Sequence, residues 1–181
     1  EYWIAVGKQL ADAGKEVVLS SLALIEAESD LKALRHLCEN GQFRVEANDM
    51  AAVSLLAGRG DFVTGPYVNI YNPRTLAVLA RQGLKRWLLP VELSRETLRS
   101  MQAKRPAGIE TEVLAFGRLP LALSARCFTA RAHNLPKDDC QYRCLDYSDG
   151  LLIRTQEREP FLVLNGIQTQ SARTYSLLEE L

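Results

Sequence analysis

The sequence has 181 residues, 47% of them hydrophobic and 24% charged, which suffices for a sizeable core and is ordinary for a soluble globular chain. Its 22 basic residues balance 22 acidic ones, so no global field draws it to nucleic acid or to an anionic membrane. No apolar run approaches the ~18–20 residues of a membrane span, and no basic, apolar leader opens the chain, which leaves the cytoplasm as the expected compartment.

The chain opens with EYWIAVGKQLADAGKE, which reads as a helix already under way, without an initiator Met; a fragment of a longer protein is therefore expected. Gly14 suits the C-terminal cap of that helix, ahead of the apolar run Val17–Leu19. Strands are expected at 16–20, 43–46, 61–64, 86–89 and 111–115, with the spacing of strand–helix units joined by short loops. Between the first two, Leu31, Leu34, Leu37 and Cys38 share one helical face, and Gly41 is the stop signal. Asn48 or Asp49 is expected to cap a helix over 50–57. Asn72-Pro73 pairs an N-cap side chain with a proline whose missing N–H costs nothing at the first helical position. Ser94 plays the same part before 95–104.

Strands alternating with helices predict a parallel sheet, either doubly wound or a β/α barrel. No glycine-rich phosphate fingerprint follows any strand, which disfavours dinucleotide binding. A complete barrel typically takes ~250 residues. The expected fold is thus α/β, a partial or truncated β/α (TIM-like) barrel forming one domain over 1–181. The period breaks after Ala115: residues 117–149 read as a long cysteine-bearing, metal-binding loop, and 151–155 with 161–164 as a hairpin.

That loop carries Cys127-x12-Cys140-x3-Cys144. Soft thiolates suit zinc and iron–sulfur clusters, and closely spaced ligands add little closure entropy. A reducing compartment disfavours a disulfide, and the polar surroundings AHNLPKDDCQYRC are unlike those of buried structural thiols. The spacing matches neither a common zinc finger nor a ferredoxin run. Three thiolates leave one position: Cys38 reads instead as a small buried hydrophobe, while His133 would complete a Cys3His zinc site or be an ordinary solvated histidine. His36 faces away from its helix's apolar stripe.

The block GRLPLALSARCFTARAHNLPKDDCQYRC resembles the signature of the collagenase-like peptidase family, and VVLSSLALIE, FRVEANDM, VNIYNP, LPVELSRETL and FLVLNGIQT agree with it in order. The likeness is greatest to a branch that supports oxygen-independent ubiquinone biosynthesis. That resemblance implies a 4Fe–4S cluster on four cysteines, with the last three falling on Cys127, Cys140 and Cys144 and the first upstream of this sequence. It further implies a heterodimer with a homologous, UbiU-like subunit, aromatic ubiquinone precursors as substrate, and prephenate as oxygen donor. RNA hydroxylation, the activity of a related branch, would call for a basic surface, which the balanced charge does not favour. A scaffold with structural zinc is the alternative from another class. No nucleophile–base pattern supports proteolysis.

In a β/α barrel, function gathers at the C-terminal ends of strands. Polar candidates there are Ser20, Ser21, Glu46, Asn48, Thr64, Asn69, Glu92 and Arg118. Glu46 and Glu92 read either as a carboxylate pair across one pocket or as partners of loop amides or of a neighbouring arginine. Arg126 adjoins Cys127, where it would offset cluster charge, meet a carboxylated ligand or form a structural ion pair. Glu92 and Arg126 are the candidate catalytic residues, linking the pocket to the cysteine loop.

Overall fold

A computed structural model of the chain describes residues 2–136 and 139–178. The patterning predicts one domain over 1–181, whereas packing separates two compact units, Glu1–Val113 and Leu114–Leu181, with the division where the β/α period stops.

The first unit runs α1 (Tyr2–Asp12), β1 (Val18–Ser20), α2 (Glu28–Cys38), β2 (Arg44–Ala47), α3 (Met50–Leu56), β3 (Phe62–Thr64), α4 (Pro73–Arg81), β4 (Leu84–Leu88), α5 (Arg95–Gln102) and β5 (Glu110–Glu112). Every strand expected in this half is present. Gly14 closes α1 at φ +77°, with the Gly14 N–H donating to Ala11 O and the Lys15 N–H to Leu10 O. These two bonds satisfy carbonyls the helix leaves orphaned. Asp49, not Asn48, caps α3 by accepting from the Ala51 N–H, while Asn72 caps α4 and Ser94 caps α5.

The five strands are parallel and pair in chain order, β1-β2-β3-β4-β5, without the reversal that defines a doubly wound sheet. One face packs on α2–α5: Leu34, Val53, Leu76 and Met101 from the helices meet Val45, Phe62 and Trp87 from the strands in a single core. Each such side chain contributes about 1.5–3 kcal/mol on burial. Along the other face, Ser20, Glu46, Val63, Arg86 and Glu110 are successive register partners. Glu16, just before β1, reaches Arg86 on β4 at 3.0 Å although β2 and β3 lie between. Three strand spacings measure roughly 14 Å on a flat sheet, a gap that these two long side chains bridge between them. Among the described residues the sheet is open rather than closed on itself.

The second unit contains β6 (Phe116–Leu123), α6 (Phe128–Ala132), a 3-10 turn (Arg143–Asp146), β7 (Leu151–Arg154), β8 (Pro160–Asn165) and β9 (Gln168–Ser176). Its four strands form an antiparallel sheet in the order β6-β9-β8-β7. The β7–β8 hairpin is the one expected, but β6 and α6 occupy part of the stretch 117–149 that reads as loop. Fully buried apolar residues are few: among the described residues of this unit, only Ala130 and Val163.

Candidate functional site

Two groups of polar side chains stand out, one in each unit. In the first, the C-terminal ends of β1 and β2 carry a closed network. The Ser20 hydroxyl donates to Glu46 Oε1 at 2.8 Å, and Asn48 Nδ2 donates to the same oxygen at 2.8 Å and to Ser20 Oγ at 2.9 Å. Asn48 Nδ2 also meets the Ser21 carbonyl at 3.2 Å, and the Asn48 backbone N–H donates to Ser21 Oγ at 2.9 Å. Two of these partners can only accept, which fixes the amide's orientation. Asn48 Oδ1 is then left buried, with no hydrogen-bond partner, in a residue only 4% exposed. It lies over the bare α-carbon of Gly65: a Cβ there would sit 1.9 Å from Asn48 Oδ1 and 2.9 Å from Glu46 Oε1.

The charge on this face is unevenly shared. Arg86 takes Glu110 at 2.7 Å, Glu16 at 3.0 Å and Glu112 at 4.0 Å, and Arg44 takes Glu16 at 3.3 Å. Glu46 has no cation partner among the described residues and is held by two neutral donors instead. Such a carboxylate is restrained without being neutralised.

Thr64 does not join this network. Its register partners are Ala47 and Trp87, which place it on the helix-covered face, where its hydroxyl is buried and unpartnered. Asn69 is exposed. Glu92 is exposed and accepts a hydrogen bond from the Tyr71 hydroxyl, while Glu46 accepts from Ser20 and Asn48, so of the two readings it is the one with separate partners that these bonds favour. The hydrogen bond to Glu92 raises the Tyr71 phenol above its ordinary range, with burial and the carboxylate's charge adding to it. Sequence reasoning missed Tyr71, because its partner stands 21 residues away and no local pattern marks the pair.

The second group is built around the thiols. Ser124 and Phe128 donate backbone N–H groups to Ile167 and Gly166, fastening the segment between them to the β8–β9 turn. Cys127 caps α6, its sulfur 3.5 Å from the Ala130 N–H. Cys144 lies in the 3-10 turn, which packs against α6. His133, at the end of α6, meets the Tyr147 hydroxyl at 2.9 Å. Between Cys140 and Cys144 the backbone turns sharply through two consecutive left-handed residues, Gln141 (φ 52°) and Tyr142 (φ 50°). Non-glycine residues in that region store on the order of 1 kcal/mol or more each. Arg126 is exposed beside Cys127, and Arg118 on β6 meets the Ser171 carbonyl at 3.5 Å.

Cys127, Cys140 and Cys144 are free and half-buried, a donor set whose softness fits zinc or an iron–sulfur centre. Among the described residues no three His, Cys, Asp or Glu side chains are gathered as a metal-holding group, so the thiols share a unit without forming a ligand shell. Cys38 is partly buried and packs against the core of the first unit; burial, then Glu39, pushes its thiol up, with Arg59 opposing.

The sequence profile of peptidase family U32 matches residues 5–177, nearly the whole chain. The chain belongs to that family. No solved structure matches it. In this U32 chain the Ser20 hydroxyl is bonded to Glu46 and His133 to Tyr147. No described helix is long and apolar enough to cross a membrane.

Proposed function

We propose that this U32 chain is a UbiV-like, cytoplasmic iron–sulfur component of an oxygen-independent system that hydroxylates aromatic ubiquinone precursors. The observation that carries this reading is the second unit's composition: three free thiols beside, among its described residues, only two fully buried apolar ones. A small unit with so little core gains much of its stability from a staple, and metal ligation is one. The strained turn at Gln141–Tyr142 also lies between two of the thiols, where a functional constraint accounts for its cost.

In this reading Cys127, Cys140 and Cys144 hold a 4Fe–4S cluster, with a fourth ligand from outside these residues. The cluster supplies one-electron transfer. Arg126 sets a cation beside the thiolates, and Glu92, held by Tyr71, offers a carboxylate to the aromatic. The parallel sheet, with strands in chain order, supports reading this unit as a segment of a TIM-like barrel. Exposed Phe116, Leu121, Leu152 and Phe161 give the second unit apolar surface for a homologous, UbiU-like subunit in a heterodimer. Prephenate is the proposed oxygen donor.

Anaerobic purification of the protein with its co-expressed partner, followed by iron, sulfide and electron-paramagnetic-resonance analysis, tests the reading. Near-stoichiometric iron and sulfide are expected. A colourless, air-stable protein containing zinc would replace the cluster by a structural site.

A further inference from the structure

A cavity of ≈ 410 Å³ lies in the first unit between α1, the loop after β1 and α2. Its walls are largely apolar, with Leu22, Ile25, Leu34 and Leu37 among them, and Trp3, 71% exposed, stands at its mouth. Ser20 lines the same cavity. Its volume falls within the usual range for small-molecule sites, which combine apolar walls with a few fixed polar groups.

We propose that this cavity binds an apolar molecule carrying a hydroxyl, and that Ser20 accepts the hydrogen bond from that hydroxyl. The argument turns on where the Ser20 proton is. It is committed to Glu46 Oε1, while Asn48 Nδ2 spreads its two protons over three acceptors, of which Ser20 Oγ is one. A serine hydroxyl has one proton and two lone pairs, so at least one lone pair is left for a ligand. Ser20 thus selects a donor and rejects a group that can only accept. Glu46 strengthens this acceptor, because no cation draws off its charge and polarisation passes along a hydrogen-bonded chain.

The arrangement is preorganised. Asn48 leaves its own carbonyl oxygen buried and unpaired while its amide pins Ser20 and Glu46 together. Asp30 and His36 also line the cavity, and one Asp30 carboxylate oxygen accepts from the Ala27 N–H at 3.2 Å as part of the start of α2. An ammonium would be stripped of water against the largely apolar walls, which favours a neutral hydroxyl as the head group. A phenolic quinone precursor belongs to this class, so the inference rests on the proposed function for its ligand and adds a binding site whose lining does not include Glu92. It requires no metal, so binding here and cluster chemistry can each fail alone.

The test is titration of the whole chain with 4-propylphenol, its methyl ether 4-propylanisole and 4-propylbenzylamine, read by Trp3 fluorescence. The other tryptophan, Trp87, is fully buried in the core and does not meet the cavity. The phenol should bind saturably, with the ether and the amine each at least tenfold weaker. Ser20→Ala should bring phenol and ether within about threefold of one another. Ala33→Phe, an exposed helical position on the cavity wall, should abolish binding of all three without unfolding the chain. Equal binding of phenol and ether by the unaltered protein, tightest binding of the amine, or phenol binding unaffected by Ala33→Phe would each overturn the proposal.

Discussion

His133 Nε2 and the Tyr147 hydroxyl lie 2.9 Å apart, with ring centroids 5.6 Å apart, so the end of α6 is tied to the residue that closes the 3-10 turn. Cys127 stands at the start of the first element and Cys144 within the second. The bond therefore restrains the two thiols relative to one another. Tyr147→Phe keeps the ring and removes the bond, and should cost about 0.5–1.5 kcal/mol. Alkylation of Cys144 should accelerate in this variant. An unchanged labelling rate would mean the clasp does not restrain the turn.

If the thiols staple the second unit, stripping the metal should loosen that unit before the first. Hydrogen exchange after anaerobic chelation should show lost protection along β6–β9, with β1–β5 unaltered. Cys127→Ala, Cys140→Ala and Cys144→Ala should reproduce the effect and bring iron to background. Cys38→Ala should leave iron content unchanged, because that thiol is packed in the core of the other unit. Loss of iron in the Cys38 variant would place it among the ligands.

The left-handed pair offers a separate handle. Tyr142 is 73% exposed at φ 50°, so Tyr142→Gly removes strain and few contacts. Denaturant unfolding should show stability unchanged or raised by up to about 1 kcal/mol. A clear loss would show that the tyrosine ring makes a needed contact.

Gly65 should tolerate nothing larger. Ala at this position would put a Cβ 1.9 Å from Asn48 Oδ1, so Asn48 must leave Ser20 and Glu46. Gly65→Ala should cost about 2 kcal/mol or more, through strain and broken buried hydrogen bonds. Gly14→Ala meets open space and carries only the penalty of its positive φ, about 1 kcal/mol. Equal melting temperatures for the two variants would refute the close approach at Gly65.

Tyr71 and Glu92 make a prediction about pH. The phenol's raised pKa means that the folded state favours its protonated form, so the associated stability is complete below the ordinary value of 10.0 and is lost as pH rises beyond it. Glu92→Gln should return the Tyr71 titration, isolated as the difference from Tyr71→Phe, toward that ordinary value. In cells, Glu92→Gln and Arg126→Gln should retain cluster absorbance yet lose anaerobic quinone. Full quinone yield from both would remove them from the site.

The first unit is largely legible in its sequence because its signals are local. Phe62-Val63-Thr64 is buried on both sides and reads as a continuous run, and Asn72 and Ser94 announce the helices that they do cap. Strand β6 is hidden by Gly117 and Pro120; the proline is tolerated because β6 is an edge strand whose register shifts at that point. Strand β9, QTQSARTYS, has almost no apolar alternation and owes its conformation to pairing with β6 and β8. The thiols and Glu46 are visible as chemistry, but the partners that fix them, Tyr147 and Asn48, become visible only when distant segments meet.

The β6–β9 ladder also sets an order of events. Phe116 pairs with Ser176, and Cys127, Cys140 and Cys144 all lie on the chain between these partners. In β1–β5 each strand pairs with the next one made, whereas β6 must wait for the last strand, and such distant pairing is slow. During synthesis all three thiols emerge from the ribosome before the strand that closes their sheet does. The nascent segment therefore meets metal donors, and oxidants, as an open chain, and closing of the ladder is the step after which its ligand geometry is fixed.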